Sequence, residues 1–278
     1  MLGLTTDTFP RPPSTTPSED PSVLYVRSYL LIRTGVGVIG ILLPFLLAFG
    51  DLFFVRRGIV PKGFAGPPPS TSLGHLIHLR GSISAYYHTG VGDLFVAGLC
   101  VVGFLLLTYM AGQRRTWDFA LSLVAGAAVL GVVLFPTGRP AFPDGTALCG
   151  PATSPTPPSC APVQTLLGEH ATAGIHFFCA AVFILSLSAL CFVFAHRMSV
   201  HEPTKKTRHI HTVCGVLILV AVAWVAVGGL MNVDVFDLTP LYLGELVAVW
   251  SFGVSWLVKG ESLRPLVPHG PRAHPSDH

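Results

Sequence analysis

The chain has 278 residues, of which 51% are hydrophobic and 11% charged, with a formal net charge of +3. About a quarter of the residues of an ordinary soluble domain are charged, so this composition excludes a water-soluble globule, which could not cover its surface. The small net charge and the lack of a basic stripe argue against nucleic acid as a partner.

Residues 1–27 are rich in Pro, Ser and Thr and hold no apolar stretch before Leu24, which reads as a disordered tail without a cleavable signal. The first apolar run then serves as both signal and anchor. It extends from about Ser28 to Phe49, with Pro44 inside it. Further runs cover about Val91 to Ala111, Phe119 to Phe135 (stopped by Pro136), Thr165 to Phe194, Thr212 to Met231, and Leu238 to Val258. Each approaches the roughly 20 apolar residues that cross a bilayer core of about 30 Å. Lipid offers nothing to unpaired backbone groups, so these runs must be helices. The expected fold is all-α: a polytopic membrane protein of about six transmembrane helices in one domain, residues 28–260. A Pro- and His-rich tail, residues 261–278, follows and reads as disordered.

Lys and Arg set the expected orientation. Arg11, Arg27 and Arg33 precede or enter the first run; Arg114 and Arg115 lie between the second and third; Arg197, Lys205, Lys206 and Arg208 lie between the fourth and fifth; Lys259, Arg264 and Arg272 follow the sixth. These segments are assigned to the cytoplasm, with both termini, in a plasma membrane. The loop Asn232 to Asp237 carries two acids and no base, and Thr137 to Gln164 carries only Arg139; both suit the outside. Arg56, Arg57, Lys62 and Arg80 in the first outer loop run against this assignment and are outvoted by three inner segments.

Cys149 and Cys160 are the only cysteine pair in a loop, on the side where disulfides persist; a bridge and two free thiols both remain open from sequence. Cys100, Cys179, Cys191 and Cys214 fall within spans and read as small core hydrophobes. In the loop Asp51 to Gly90, the stretch Pro61 to Pro69 is Pro- and Gly-rich. Beyond it Leu73, Leu76, Ile77, Ile83 and Tyr87 share one helical face, with His75, His78 and Ser82 opposite. That pattern predicts a short interfacial helix, with a re-entrant segment as the alternative. His75 and His78 are three apart, a spacing open to metal, but the exposed polar face of such a helix accounts for them more simply.

Ionisable groups inside membrane segments are costly, so each marks a functional hypothesis. They crowd at one side: His88 and Asp93 at the second span, Glu169, His170 and His176 in the fourth, Glu245 in the sixth, and Asp51 closing the first. The other side offers Asp118, His196, His209 and His211, all near span ends. Glu169 and His176 are seven apart and share a face, with Ala173 between them, while His170 is about 100° around. If the second, fourth and sixth spans are neighbours, one cavity is lined by all of these groups. Histidine with carboxylate is a ligand set for zinc and related divalent metals. In the metal form, His88, His170 and His176 are the ligands and Glu169, Glu245 and Asp93 the catalytic carboxylates, with a metal-activated water. In a metal-free form, carboxylates in an apolar pocket transfer protons to and from a hydrophobic substrate. The structural alternative is that these groups snorkel to water or pair with one another. Haem between histidines is disfavoured, because His176 and His196 stand about 30 Å apart on one helix.

The stretch Gly81-Ser-Ile-Ser-Ala-Tyr-Tyr-His-Thr89, then Asp93-Leu-Phe-Val96, Leu134-Phe-Pro-Thr137 and His170-Ala-Thr-Ala with Phe177-Phe178, resembles a bacterial family of uncharacterised multispan membrane proteins. That resemblance implies a fold and no activity. Ser84 and His88 also match the Ser-x-x-x-His of the alkaline ceramidase and progestin/adipoQ receptor superfamily, whose resemblance implies zinc-dependent amide hydrolysis. The superfamily's later His-x-x-x-His is absent from this chain. Three readings follow. The first is a membrane-embedded enzyme acting on a lipid or isoprenoid-like substrate in the outer half of the bilayer. The others are a small-molecule or ion transporter and a non-catalytic assembly protein. Membrane lipids and a hydrophobic small molecule are the expected partners.

Overall fold

The computed structural model describes residues 21–58, 79–109, 116–139, 147–157, 159–200, 205–231 and 238–261. Among these residues the fold is all-α. Helix α1 (Pro21–Arg56) is followed by a 3₁₀ turn (Ser84–His88), then α2 (Gly92–Thr108), α3 (Trp117–Leu134), α4 (Pro162–Leu167), α5 (Glu169–Val200), α6 (Lys205–Met231) and α7 (Pro240–Glu261). Five of these helices, α1, α3, α5, α6 and α7, are long and apolar enough to cross a membrane. Helix α2, with 17 residues, spans about 25 Å at 1.5 Å per residue.

Local chemistry explains the boundaries. Thr116 caps α3, its hydroxyl accepting the Phe119 N–H at 3.3 Å, and Pro136 follows the last turn. The run expected from Thr165 onward is two helices rather than one. Gly168 adopts φ +88 between α4 and α5, a left-handed value that glycine takes without strain. Pro162 opens α4 in the first-turn position that suits it.

Six helices close into a ring in the order α1, α2, α3, α5, α6, α7 and back to α1. At the α1–α7 crossing, a Cβ on Gly37 would come within 3.2 Å of the Gly253 carbonyl oxygen, and one on Gly253 within 3.2 Å of the Gly37 oxygen. Only glycines let these backbones meet. One end of the ring carries Arg197, Lys205, Lys206, Arg208 and Lys259; we call it the basic end. The other carries the Cys149–Cys160 disulfide.

The basic half is filled by an apolar cluster that includes Leu187, Leu190, Phe194, Ile218, Phe252 and Trp256. A second cluster, with Leu43, Leu47, Tyr86, Phe95 and Tyr242, fills the α1–α2–α7 side near the disulfide end. The ring's outer face exposes Leu42, Phe45, Phe104, Phe178, Val220 and Leu230. Soluble monomers seldom expose so much contiguous apolar surface, whereas lipid covers it without cost. Ion pairs close each end. Arg197 in the last turn of α5 meets Asp118 in the first turn of α3 at 3.1 Å, each charge at the helix terminus that favours it. Arg80 meets the buried Asp51 at 2.7 Å.

The interfacial helix expected in the first loop is not what the described part of that loop forms. Residues 59–78, including His75 and His78, lie outside the described residues. From Gly81 onward the chain enters the bundle: Ser82, Ile83, Ser84, Tyr86 and His88 are all buried, and Tyr86 is completely so. The face-by-face alternation of apolar and polar residues misled because both faces of this turn meet protein.

Candidate functional site

In the half of the ring nearer the disulfide lies a cavity of about 330 Å³, open to the outside where its lining residues Phe177 and Val222 are exposed. The 3₁₀ turn, α2, α3, α5, α6 and α7 all contribute to its wall. Small residues make the room: Ala180 on α5, Ala221 on α6, and Gly244 and Ala248 on α7. Of the lining side chains only three are polar: Ser84, His176 and Glu245. The cavity reaches Phe183, Ile184 and Val249 toward the basic end. Beyond lies the apolar cluster of Leu187, Leu190, Ile218 and Phe252, which makes the cavity blind on that side. Toward the disulfide end it adjoins a second depression of about 510 Å³ that shares Phe177, Val225 and Leu241 with it and includes Gly228 and Gly229.

Glu245 is anchored. Its Oε2 accepts the Ile83 backbone N–H at 2.5 Å, and the Ser84 backbone N–H also interacts with the carboxylate. These are donors that a short 3₁₀ turn leaves unpaired at its start. A carboxylate on α7 thus organises the turn that places Ser84 on the cavity wall. The Ser84 hydroxyl lies 3.1 Å from that of Ser82, which in turn accepts the Ala85 N–H at 3.0 Å.

His176 is 1% exposed. Its Nδ1 lies 2.8 Å from the Phe135 carbonyl oxygen and 3.2 Å from that of Val132. Both partners only accept, so Nδ1 carries the proton and donates. In the neutral ring Nε2 then bears the lone pair, and that nitrogen is buried without a hydrogen-bond partner.

The other expected site residues go elsewhere. Glu169 is held in an ion pair with Arg139 and does not line the cavity. Its Oε1 accepts the Arg139 backbone N–H at 2.7 Å, and its Oε2 accepts Arg139 Nε at 3.1 Å, Arg139 Nη2 at 2.9 Å and the Cys149 N–H at 3.1 Å. Three of these four hydrogen bonds converge on Oε2. His88 donates from Nε2 to the Thr137 carbonyl at 2.9 Å, the same oxygen that receives the Gln164 amide at 3.0 Å. Burial pushes the His88 imidazole below its usual 6.5; the Arg139 charge adds to this, while the Thr137 carbonyl and the Glu169 carboxylate oppose it. Asp93, in the first turn of α2, and His170, in the first turn of α5, are exposed and face away from the cavity wall. Asp93 sits where the helix dipole favours an acid.

The structure therefore does not gather the three expected metal ligands into one site. Among the described residues no group of three His, Cys, Asp or Glu side chains is placed to hold a metal ion. His170 and His176 part because α5 turns His170 outward while His176, six residues on, faces in; His88 lies near His176 but is bonded to the Thr137 carbonyl. Of the expected set, His176 and Glu245 are brought to one cavity, and Ser84 joins them from the Ser-x-x-x-His match. Arg139, read from sequence only as a stray base, is the residue that pairs with Glu169. Nothing in its sequence context announced a partner 30 residues away. No protein-family model, curated protein or solved structure matches the chain.

Proposed function

We propose that this protein is a multi-pass plasma-membrane protein that binds a lipid or isoprenoid-like molecule in its cavity and acts on it by carboxylate acid–base chemistry. The observation that carries this reading is that Glu245 and His176 stand on one otherwise apolar wall, with Ser84 supplied to it by the turn that Glu245 holds. Ionisable groups in such surroundings are costly unless they serve a function. Glu245 is the proton donor and acceptor at the ligand; His176 supplies a second basic site through Nε2. Isomerisation and cyclisation of an unsaturated chain both need a proton delivered at one carbon and removed from another. The metal-free form is the one proposed, because among the described residues no three donor side chains converge.

In this reading α2 is the sixth span and both termini are cytoplasmic. The gathering of Arg197, Lys205, Lys206, Arg208 and Lys259 at one end supports that orientation, as does the disulfide at the other. The blind basic half argues against a through-path for transport.

The test is solvent labelling. Membranes carrying the protein are incubated in D₂O and their lipids analysed by mass spectrometry. A lipid species gains deuterium with the wild-type chain and not with Glu245→Gln. If no species gains label in a Glu245-dependent way, the acid–base reading fails.

A further inference from the structure

We propose that the cavity selects a single-chain alcohol, whose hydroxyl donates a hydrogen bond to Nε2 of His176. The inference deepens the proposed function and rests on it. The first observation is the state of His176. Its Nδ1 proton is committed to the carbonyls of Val132 and Phe135, so the neutral ring presents an acceptor at Nε2 that is 1% exposed as a residue and has no partner. A buried acceptor left unmade is expensive, and a ligand that brings a donor recovers that loss. Water is an imperfect substitute, since it needs two to four polar partners and the wall offers few.

The second observation is the rest of the wall. A cavity of about 330 Å³ is near the lower end of the roughly 300–1,000 Å³ range of small-molecule sites, so one chain fits and a two-chain lipid does not enter whole. Apolar side chains from five helices suit a hydrocarbon tail. An anionic head would meet the Glu245 carboxylate, and a charged head of either sign would lose its hydration in an apolar site. A neutral hydroxyl avoids both penalties and brings the donor that Nε2 of His176 lacks. The adjoining depression beside Phe177, Gly228 and Gly229 shares three lining residues with the cavity on the side of the disulfide end.

The experiment uses the full-length protein in nanodiscs and a dodecanol bearing a photoreactive diazirine. Crosslinking is competed by dodecanol, farnesol or dodecyl methyl ether. The alcohols compete about tenfold better than the ether on the wild-type chain, and His176→Asn removes that difference. Asn keeps an amide donor near the place of Nδ1 and lacks Nε2. Ala180→Leu, which fills the cavity, abolishes crosslinking. A preference between farnesol and dodecanol then distinguishes an isoprenoid from a straight chain. Equal competition by alcohol and ether on the wild-type chain overturns the hydroxyl assignment and leaves the cavity reading standing. Crosslinking that misses the cavity peptides, or that survives Ala180→Leu, overturns both. The wild-type comparison decides the head-group question even if His176→Asn does not fold.

Discussion

The carboxylate of Glu245 accepts the backbone N–H of Ile83 at 2.5 Å, across 162 positions of sequence. One side chain thereby performs two tasks, holding the turn before α2 and facing the cavity. The two tasks separate by substitution. Glu245→Gln keeps a carbonyl oxygen for the Ile83 N–H, and Glu245→Ala keeps nothing. A hydrogen bond to a charged group contributes about 1.5–3 kcal/mol. Glu245→Ala is expected to lose about that much stability and Glu245→Gln clearly less, read as thermal unfolding of the purified protein. Equal melting of both variants would show that the turn does not depend on this contact.

The Glu169–Arg139 pair predicts a different pattern. Both residues are buried, and removing one partner of a buried pair typically costs about 3–5 kcal/mol. Glu169→Ala and Arg139→Ala should each destabilise the protein on that scale. The double variant should fall well short of the sum, because neither leaves the other charge stranded. A double-mutant cycle measured by unfolding checks this, and simple additivity would refute the pairing.

How much of this could be read from the sequence depends on the range of the interaction involved. Periodicity and apolar run length located the long helices, because lipid imposes them segment by segment. The pairing of Glu169 with His176 on one face also followed from helical spacing, and both are buried. Yet the same face serves two purposes. Its first turn meets Arg139 in a loop, and two turns on it meets the end of α3. Spacing along one helix says which residues share a face, and is silent about what that face meets. Ile83 to Tyr87 failed for the same reason: a local pattern that suits a bilayer surface suits a buried turn equally well.

Reducing the Cys149–Cys160 bridge should loosen the loop that holds Arg139 and Glu169 together, since the Cys149 N–H also binds Glu169. The sequence separation is 11, and closing a loop of that size in the unfolded chain contributes roughly 3 kcal/mol. Unfolding with and without a membrane-compatible reductant measures it. An unchanged midpoint would count against the bridge.

His88 predicts an acid-sensitive stability. Its folded-state pKa lies below the ordinary 6.5 because it is buried, so the unfolded chain binds the proton more readily. The contribution of the neutral ring is complete above about pH 6.5. It is lost progressively as pH falls through that value toward the lower folded pKa, where the loss levels off. His88→Gln keeps a donor for the Thr137 carbonyl and does not titrate. The variant should show a smaller drop in melting temperature between pH 7.5 and pH 5.5 than the wild-type chain, with those two pH values chosen roughly to bracket the ordinary pKa. Parallel curves would remove His88 as the source.

Pro136 ends α3, and its effect reaches beyond the helix. In an uninterrupted helix the Val132 carbonyl would be taken by the N–H of the residue four positions on. That residue is proline, which has none. The spare oxygen is satisfied instead by the Nδ1 proton of His176 on a neighbouring helix, which it shares with the closer Phe135 oxygen. A residue without a proton to give thus draws in one from a neighbour. Exchanging Pro136 for alanine would offer the Val132 oxygen an N–H of its own and leave the His176 proton to Phe135 alone.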